Sequence, residues 1–326
     1  PADMVIMGVG VRPEVTLAAD AGLERGPTGG LKVDEHMQTS HEDVYAAGDC
    51  VETRHLVTGE PCYMPLGSTA AKQGRVAAIN MCGGEDTFPG VARTAVCKVF
   101  DYTVARSGLS EKEAEEAGFD PVVSLTAAPD RAHFMPGANR VVIKMVADAE
   151  SRRVLGVQAI GAGETAKRVD VAITAISSGM TVDEVAKLDL CYAPPYAEAL
   201  DNIHTACNVL RNKLDGHMEG IGGGEVKKKL DVDEDILLLD VRPQYQYERG
   251  HLPGSTNVPL EVLKGRLREL PRDREVVTYS NVSLSAYEAA ITLQANGFDD
   301  VRVMDGGLVM WPFSTMGQEA GRGLDT

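Results

Sequence analysis

The chain has 326 residues, 44% of them hydrophobic and 25% charged, as is usual for a globular protein of two or three domains. Its 48 acidic residues outnumber its 32 basic residues, which argues against nucleic acid as a main partner. No apolar run reaches the roughly 18 residues of a membrane span and no secretory signal opens the sequence, so we expect a cytoplasmic protein without membrane contacts.

The first residues predict the interior of a domain. Pro1 is followed almost at once by the apolar run 4–8, which predicts a strand, and then by a Gly-rich turn. We therefore expect a fragment or a trimmed chain. Strands are predicted at 31–33 and 44–47. Small and apolar residues at helical spacing predict a helix over 66–81, with Ser68 or Thr69 as its N-cap.

The middle of the chain, 93–214, predicts an α+β domain. Strand-like runs at 95–100, 140–146 and 154–160 mix with helical patterns at 110–117, 164–178 and 181–188. Thr181 and Glu184 form a capping-box pattern.

The last third predicts a separate α/β domain. The Gly-rich segment 215–224 is the best candidate for a linker. After it, over 225–326, predicted strands at 236–239, 256–258, 276–279 and 301–304 are separated by helices. This alternation predicts a parallel sheet covered on both faces.

The six cysteines give no sign of a metal site or a disulfide framework, since they form no CxxC pair. We expect them to be buried and reduced. They are Cys50, Cys62, Cys82, Cys97, Cys191 and Cys207.

Three motifs between residues 8 and 75 occur in a characteristic order: GVGVRP at 8–13, TSHEDVYAAGDC from Thr39, and PLGSTAAKQGR from Pro65. The series resembles the pyridine-nucleotide-disulfide reductase family. The resemblance implies the end of a nicotinamide-binding domain over 1–14 and the C-terminal part of an FAD-binding domain over 15–92. It also implies FAD as cofactor, NAD(P)H as electron donor, and flavin contacts at Gly48, Asp49, Pro65, Leu66 and Ala70.

Two further motifs indicate a subgroup of this family. VCKVFDYTVARSGLSEKEA at 96–114 resembles the start of the domain through which these enzymes dimerise, and YAPPY at 192–196 resembles coenzyme A-disulfide reductases and their NADH oxidase and persulfide reductase relatives. This implies a homodimer acting on coenzyme A disulfide or persulfide. Tyr192 would reach across the dimer toward a redox cysteine outside this chain, where a phenol can assist a thiolate. The alternative is a Pro-rich turn with tyrosines packed at an interface.

Other positions depart from that pattern or fit it loosely. HFMPG at 133–137 stands where the subgroup has a YYPG-like stretch, so Phe134 replaces a phenol at a substrate-binding position. This puts in doubt either the preference for coenzyme A or the efficiency of substrate reduction. Lys167 and Arg168 match a basic pair that would contact anionic groups of the substrate; the alternative is a solvated helix face.

The segments DVRPQYQYERGHLPGSTNVPL at 240–260 and DGGLVMWP at 305–312 resemble a rhodanese domain. Active rhodaneses carry a C-x-x-G-x-R loop whose thiolate becomes a persulfide. Here Ser280, Ser283 and Ser285 occupy the three positions. A serine cannot form a persulfide, so we predict an inactive rhodanese-like domain whose loop amides could still bind an anion. Natural degeneration explains all three serines, whereas the alternative, an engineered Cys→Ser change, explains Ser280 but not Ser283 and Ser285.

Taken together, these observations predict part of a flavin-dependent coenzyme A-disulfide or persulfide reductase that uses NAD(P)H and holds no metal. One alternative is an NADH oxidase of the same family, with oxygen as the acceptor. The other is a non-catalytic dimerisation or binding module that lacks the flavin half.

Overall fold

The computed structural model describes residues 2–317. It contains two compact units, Pro1–Thr94 and Ala95–Thr326, which are described separately. Residue 1 and the predicted end of the rhodanese-like domain, 318–326, lie outside the described residues. Among the helices of the described part, none combines the length and the apolarity that crossing a bilayer requires.

The first unit is built around one long helix. Its elements are α1 (Thr16–Asp20), β1 (Thr53–Arg54), β2 (Pro61–Cys62) and α2 (Gly67–Met81), with β1 and β2 antiparallel. The buried residues of α2 recur at helical spacing, so one face of the helix lies in the core. These residues are Thr69, Gln73, Val76 and Ala77.

Several predictions for this unit are wrong. The run 4–8 is exposed and forms no strand, because a strand needs a hydrogen-bonded neighbour and no residue among 2–317 pairs with it. The predicted strands at 31–33 and 44–47 reduce to isolated bridges, Leu31 with Val51 and Gln38 with Tyr45. The N-cap of α2 is Leu66, whose side chain makes no capping hydrogen bond, whereas Ser68 and Thr69 lie inside the first turn.

The first part of the second unit is a five-stranded antiparallel sheet in the order β3-β4-β7-β6-β5, with α4 and α6 packed against it. Its strands are β3 (Ala95–Val99), β4 (Tyr102–Gly108), β5 (Pro121–Pro129), β6 (Arg140–Asp148) and β7 (Val154–Gly161). Its helices are α3 (Glu111–Glu116), α4 (Thr165–Ser177), α5 (Val182–Val185) and α6 (Asn202–Leu214). This confirms the α+β prediction and the capping box of Thr181 and Glu184. Strands β4 and β5 and helix α6 were not predicted from the sequence.

The second part is a five-stranded parallel sheet in the order β10-β9-β11-β12-β8, which confirms the α/β prediction. Its strands are β8 (Gly220–Ile221), β9 (Leu237–Asp240), β10 (Thr256–Asn257), β11 (Val276–Tyr279) and β12 (Val301–Met304). Its helices are α7 (Gly223–Asp231), α8 (Gln244–Arg249), α9 (Leu260–Arg266) and α10 (Leu284–Gln294). Short 3₁₀ turns cover Leu267–Glu269 and Leu308–Met310.

A buried ion pair links the two sheets of this unit. Lys213, near the end of α6, contacts the carboxylate of Asp305 at 2.7 Å and donates to the carbonyl of Val123 at 2.8 Å. Gly220 lies against this pair, since a Cβ there would be 2.3 Å from the Lys213 Nζ atom. Gly220 and Ile221 form strand β8, so this part of the predicted linker is not a linker.

Candidate functional site

The first candidate site surrounds Gly48 in the first unit. Gly48 has a φ of +86° and donates its amide hydrogen to the side-chain carbonyl of Gln73 at 2.9 Å. A Cβ at this position would be 3.3 Å from the Cβ of Ala70. Glycine is therefore favoured twice over, by a left-handed backbone and by close approach to α2.

The N-terminus of α2 offers groups that a ligand can use. Leu66 is the N-cap residue, with an extended backbone and no side-chain hydrogen bond to the first turn. Pro65 is half-buried just before it. A helix begins with amide hydrogens that lack intrahelical acceptors and with the positive end of its dipole. The start of α2 therefore suits a carbonyl-bearing or anionic group.

Asp49 supplies a carboxylate beside this helix start. Its side chain is exposed and makes no hydrogen bond within residues 2–317, while its carbonyl accepts from the hydroxyl of Tyr63 at 2.9 Å. Burial, with the Asp49 carboxylate adding to it, raises the pKa of the Tyr63 phenol. A glycine without a Cβ, an exposed carboxylate and an uncapped helix thus lie together, and this set fits one side of a flavin site.

The second candidate site consists of two exposed segments of the second unit, 131–139 and 192–200. They are joined where the amide of Ala132 donates to the carbonyl of Pro194 at 3.1 Å. Phe134 is 68% exposed and Tyr192 58% exposed. The hydroxyl of Tyr192 makes no hydrogen bond within residues 2–317. The structure therefore brings the two predicted aromatic positions onto neighbouring loops with their side chains at the surface.

Lys167 and Arg168 differ sharply in their surroundings. The Arg168 side chain is fully buried, and its Nη2 atom lies 2.6 Å from the carbonyl of Asp130 and 3.0 Å from the carboxylate of Asp201. The solvated helix face considered for this pair is therefore wrong for Arg168. Lys167 is partly exposed, with its Nζ atom 3.9 Å from the same Asp201 carboxylate. Asp130 and Asp201 were not predicted as partners, because their contacts to α4 are nonlocal.

The third candidate site is the loop after β11. Ser280 directly follows this strand and is buried, and its carbonyl accepts from the amide of Leu308 at 2.9 Å. Ser283 has a φ of +75° and is the N-cap residue of α10, with its hydroxyl donating to the carbonyl of Met304 at 2.9 Å. Ser285 is half-buried in the first turn of that helix. The three serines thus occupy one strand–loop–helix passage.

No base is in place to activate Ser280. Its hydroxyl makes no hydrogen bond to a histidine or carboxylate of the described chain. His251 instead contacts the carbonyl of Tyr247 through Nδ1 at 2.8 Å, and its ring stacks on the Tyr247 ring. The nearby Arg242 guanidinium is held by the Asp240 carboxylate. A serine hydroxyl without an adjacent base is a weak nucleophile.

The cysteine prediction is partly wrong. Cys207 is buried, but Cys82, Cys97 and Cys191 are exposed. All six are free thiols. Within residues 2–317, no cluster of His, Cys, Asp and Glu could hold a metal ion.

Three family models match the chain. A pyridine nucleotide-disulphide oxidoreductase model matches residues 1–74, and the dimerisation-domain model of the same family matches 94–204. The chain therefore carries parts of two domains of the pyridine nucleotide-disulphide oxidoreductase family. A rhodanese-like domain model matches 224–312, so the chain also carries a rhodanese-like domain.

Similarity to relatives whose names describe a reductase activity supports this assignment. The chain is 41% identical over 210 residues to the NAD(P)H sulfur oxidoreductase (CoA-dependent) of Pyrococcus furiosus, covering 64% of this chain and 47% of the relative. It resembles the NAD-dependent persulfide reductase from A. fulgidus with a TM-score of 0.89 and 47% identity, over 95% of this chain and 56% of that one. It resembles reduced Bacillus anthracis CoADR-RHD with a TM-score of 0.87 and 36% identity, over 94% of this chain and 54% of that one. The chain thus spans about half the length of these proteins.

The Gly48 geometry predicts a specific loss of stability. We expect Gly48→Ala to destabilise α2 by about 2–3 kcal/mol, because strain at positive φ adds to the collision with Ala70. Hydrogen exchange of the α2 amides measures the change. Gly83→Ala is the matched control, since Gly83 also has a positive φ of +81° but no atom within 4 Å of an added Cβ. Equal losses in the two variants would show that the Ala70 contact is unimportant.

Proposed function

We propose that this chain is the C-terminal part of a flavin-dependent, NAD(P)H-using reductase of coenzyme A disulfide or persulfide. The observation that carries the proposal is the exposed phenol of Tyr192, which has no hydrogen-bond partner within residues 2–317. An exposed, unpartnered phenol on a dimerisation domain suits a role in a partner's site better than a role in its own core. Resemblance to the A. fulgidus persulfide reductase over 95% of this chain supports it.

The proposal divides the chain by position. It assigns 1–14 to the nicotinamide-binding domain, 15–92 to the FAD-binding domain, 93–214 to dimerisation and 225–326 to the rhodanese-like domain. The linker of this scheme shortens to 215–219 and the rhodanese-like domain extends back to 220, because β8 begins at Gly220 and pairs with β12. Free exposed thiols at Cys82, Cys97 and Cys191 suit the reducing cytoplasm.

A homodimer is part of the proposal. All five residues of β3 are exposed, and so are several large apolar side chains on and beside the β3–β4 pair. They are Val96, Val99, Phe100, Tyr102 and Val104. Val99, Tyr102 and Val104 share one face of this strand pair, because Val99 pairs with Tyr102 and Val104 lies two positions beyond Tyr102. An exposed apolar patch of this kind marks an interaction site in a monomer. In the dimer, Tyr192 of one copy would lie beside the redox cysteine of the other.

The residues of this chain would hold the cofactor and assist sulfur chemistry. Gly48, Asp49 and the start of α2, from Pro65 through Ala70, would hold FAD, which when bound supplies the relay of two electrons from NAD(P)H to the redox cysteine. That cysteine, as a thiolate, would attack one sulfur of the substrate, forming a mixed disulfide as the substrate S–S bond breaks. Tyr192 would donate a hydrogen bond to the departing thiolate and stabilise its charge.

Two alternatives have specific support. Phe134 lacks a hydroxyl at a position where the subgroup carries a phenol, which favours an NADH oxidase that reduces oxygen. The exposed apolar side chains of β3 and β4 favour the second alternative, a dimerisation or binding module without its own catalysis.

Steady-state NADH oxidation after mixing the chain with an N-terminal half separates these functions. We expect turnover with coenzyme A disulfide or persulfide, and a decrease of about tenfold to hundredfold in kcat/KM for Tyr192→Phe because the hydrogen bond to the thiolate is lost. Tyr196→Phe is the matched control, since Tyr196 is exposed in the same segment and has no assigned role. Turnover with oxygen alone would support the oxidase, and no turnover with any acceptor would support the module.

The rhodanese-like domain should transfer no sulfur. We expect thiosulfate-to-cyanide transfer by the wild-type chain to equal that of Ser280→Ala, because neither side chain can form a persulfide and no base activates Ser280. A colorimetric thiocyanate assay measures the rate. Transfer by the wild type that disappears in Ser280→Ala would contradict the assignment of an inactive domain.

A further inference from the structure

We propose that Arg168 is a positioning residue, whose buried guanidinium fixes the loop that carries Phe134 and the segment that carries Tyr192 relative to each other. The inference rests on the proposed function only in giving those two aromatic side chains a substrate to contact. It replaces the sequence-based interpretation of Arg168 as a substrate-binding residue.

Both Nη atoms of the Arg168 guanidinium contact protein groups, which come from three elements, while its buried Nε atom has no hydrogen-bond partner among residues 2–317. Its Nη1 atom donates to the carbonyl of Glu164 at 2.9 Å, at the start of its own helix α4. Its Nη2 atom donates to the carbonyl of Asp130 at 2.6 Å and forms an ion pair with Asp201 at 3.0 Å. With no exposed surface, this cation cannot meet a substrate in the observed arrangement.

Asp130 closes the base of the Phe134 loop. Its carboxylate accepts hydrogen bonds from the amides of Asn139 and Glu164, both at 3.0 Å, and from the side chain of Arg131. Burial alone would raise the pKa of Asp130. The Arg131 guanidinium and the two amides outweigh burial and lower this pKa below its usual range, so the group is a carboxylate. The loop 131–139 is therefore tied at both ends to the residue that Arg168 holds.

Asp201 fixes the end of the Tyr192 segment, as Asp130 fixes the base of the Phe134 loop. It is the N-cap of α6, accepting from the amide of Ile203 at 3.1 Å, and it directly follows the exposed segment 192–200. The next residue, Asn202, donates to the carbonyl of Ala128 at 3.2 Å. One buried cation thus holds the end of one aromatic segment and the base of the other, and the Ala132–Pro194 hydrogen bond joins them farther out.

The exposed surroundings of the neighbouring Lys167 distinguish it from the buried positioning residue Arg168. Its side chain is partly exposed, and it lies 3.9 Å from the Asp201 carboxylate, too far for a hydrogen bond. Lys167 therefore remains available to an anionic group at the surface. The basic pair accordingly divides into one buried charge that holds the segments and one exposed charge.

Hydrogen exchange of the 326-residue chain alone tests the proposal without cofactor or substrate. Arg168→Lys keeps the charge but cannot reach Asp130, Glu164 and Asp201 together. We expect amide exchange in 131–139 and 192–201 to become at least tenfold faster, with strand β6 unchanged. Lys167→Met is the matched control and should leave exchange in both segments unchanged. Unchanged exchange in Arg168→Lys would overturn the proposal.

A second variant covers the case in which Arg168→Lys does not fold. Asp201→Asn retains an N-cap acceptor but removes the charge, so we expect faster exchange in 192–201 with α6 intact. Unchanged exchange there would overturn the proposal.

Kinetics of the mixed halves distinguish this inference from the proposed function. Misplaced segments should lower kcat of folded Arg168→Lys, because Tyr192 no longer reaches the departing thiolate, whereas a rise in KM at constant kcat would mark the loss of a substrate contact alone and overturn the proposal. If no acceptor supports turnover while exchange still accelerates, the positioning role stands and the proposed function fails.

Discussion

The buried Arg168 guanidinium finds its partners within the protein through its two Nη atoms, and these contacts hold α4, the start of the Phe134 loop and the start of α6 together. Burying such a charge is costly unless it is paired, so these elements are constrained as a group. Helix α6 extends the constraint. It begins at Asp201, and near its other end Lys213 forms the ion pair with Asp305 of the rhodanese-like domain. One helix therefore anchors the aromatic segments at one end and the rhodanese-like domain at the other.

The loop after β11 in the rhodanese-like domain is held in place by contacts that do not involve the Ser280 side chain. The loop after β11 is held by main-chain bonds, from Leu308 to the carbonyl of Ser280 and from Val309 to that of Asn281. Gly307 allows this contact, since a Cβ there would be 2.5 Å from the Ser280 carbonyl. Ser283 adopts a left-handed conformation where active rhodaneses have glycine, and its hydroxyl bond to Met304 offsets part of the strain. None of these contacts requires a thiolate, so serine at position 280 preserves the fold.

Local patterns in the sequence predicted local structure well. The capping box at Thr181, the strand ending at Tyr279 and the parallel sheet all follow from short-range propensity and hydrophobic spacing. Failures occurred where partners are distant in sequence. The run 4–8 has the composition of a strand but no neighbour to pair with among residues 2–317. Burial of Arg168 could not be predicted, because its acceptors Asp130 and Asp201 lie 38 and 33 positions away. The motifs located the candidate sites, but their contacts required the fold.

We propose that this chain supplies one side of a flavin site, through Gly48, Asp49 and the start of α2. The most direct measurement is the visible absorbance of the chain after mixing with an N-terminal half and FAD, followed by removal of unbound cofactor. We expect the associated halves to be yellow with stoichiometric bound flavin, and Asp49→Ala to weaken the retention of FAD. A folded, associated but colourless complex would contradict the account.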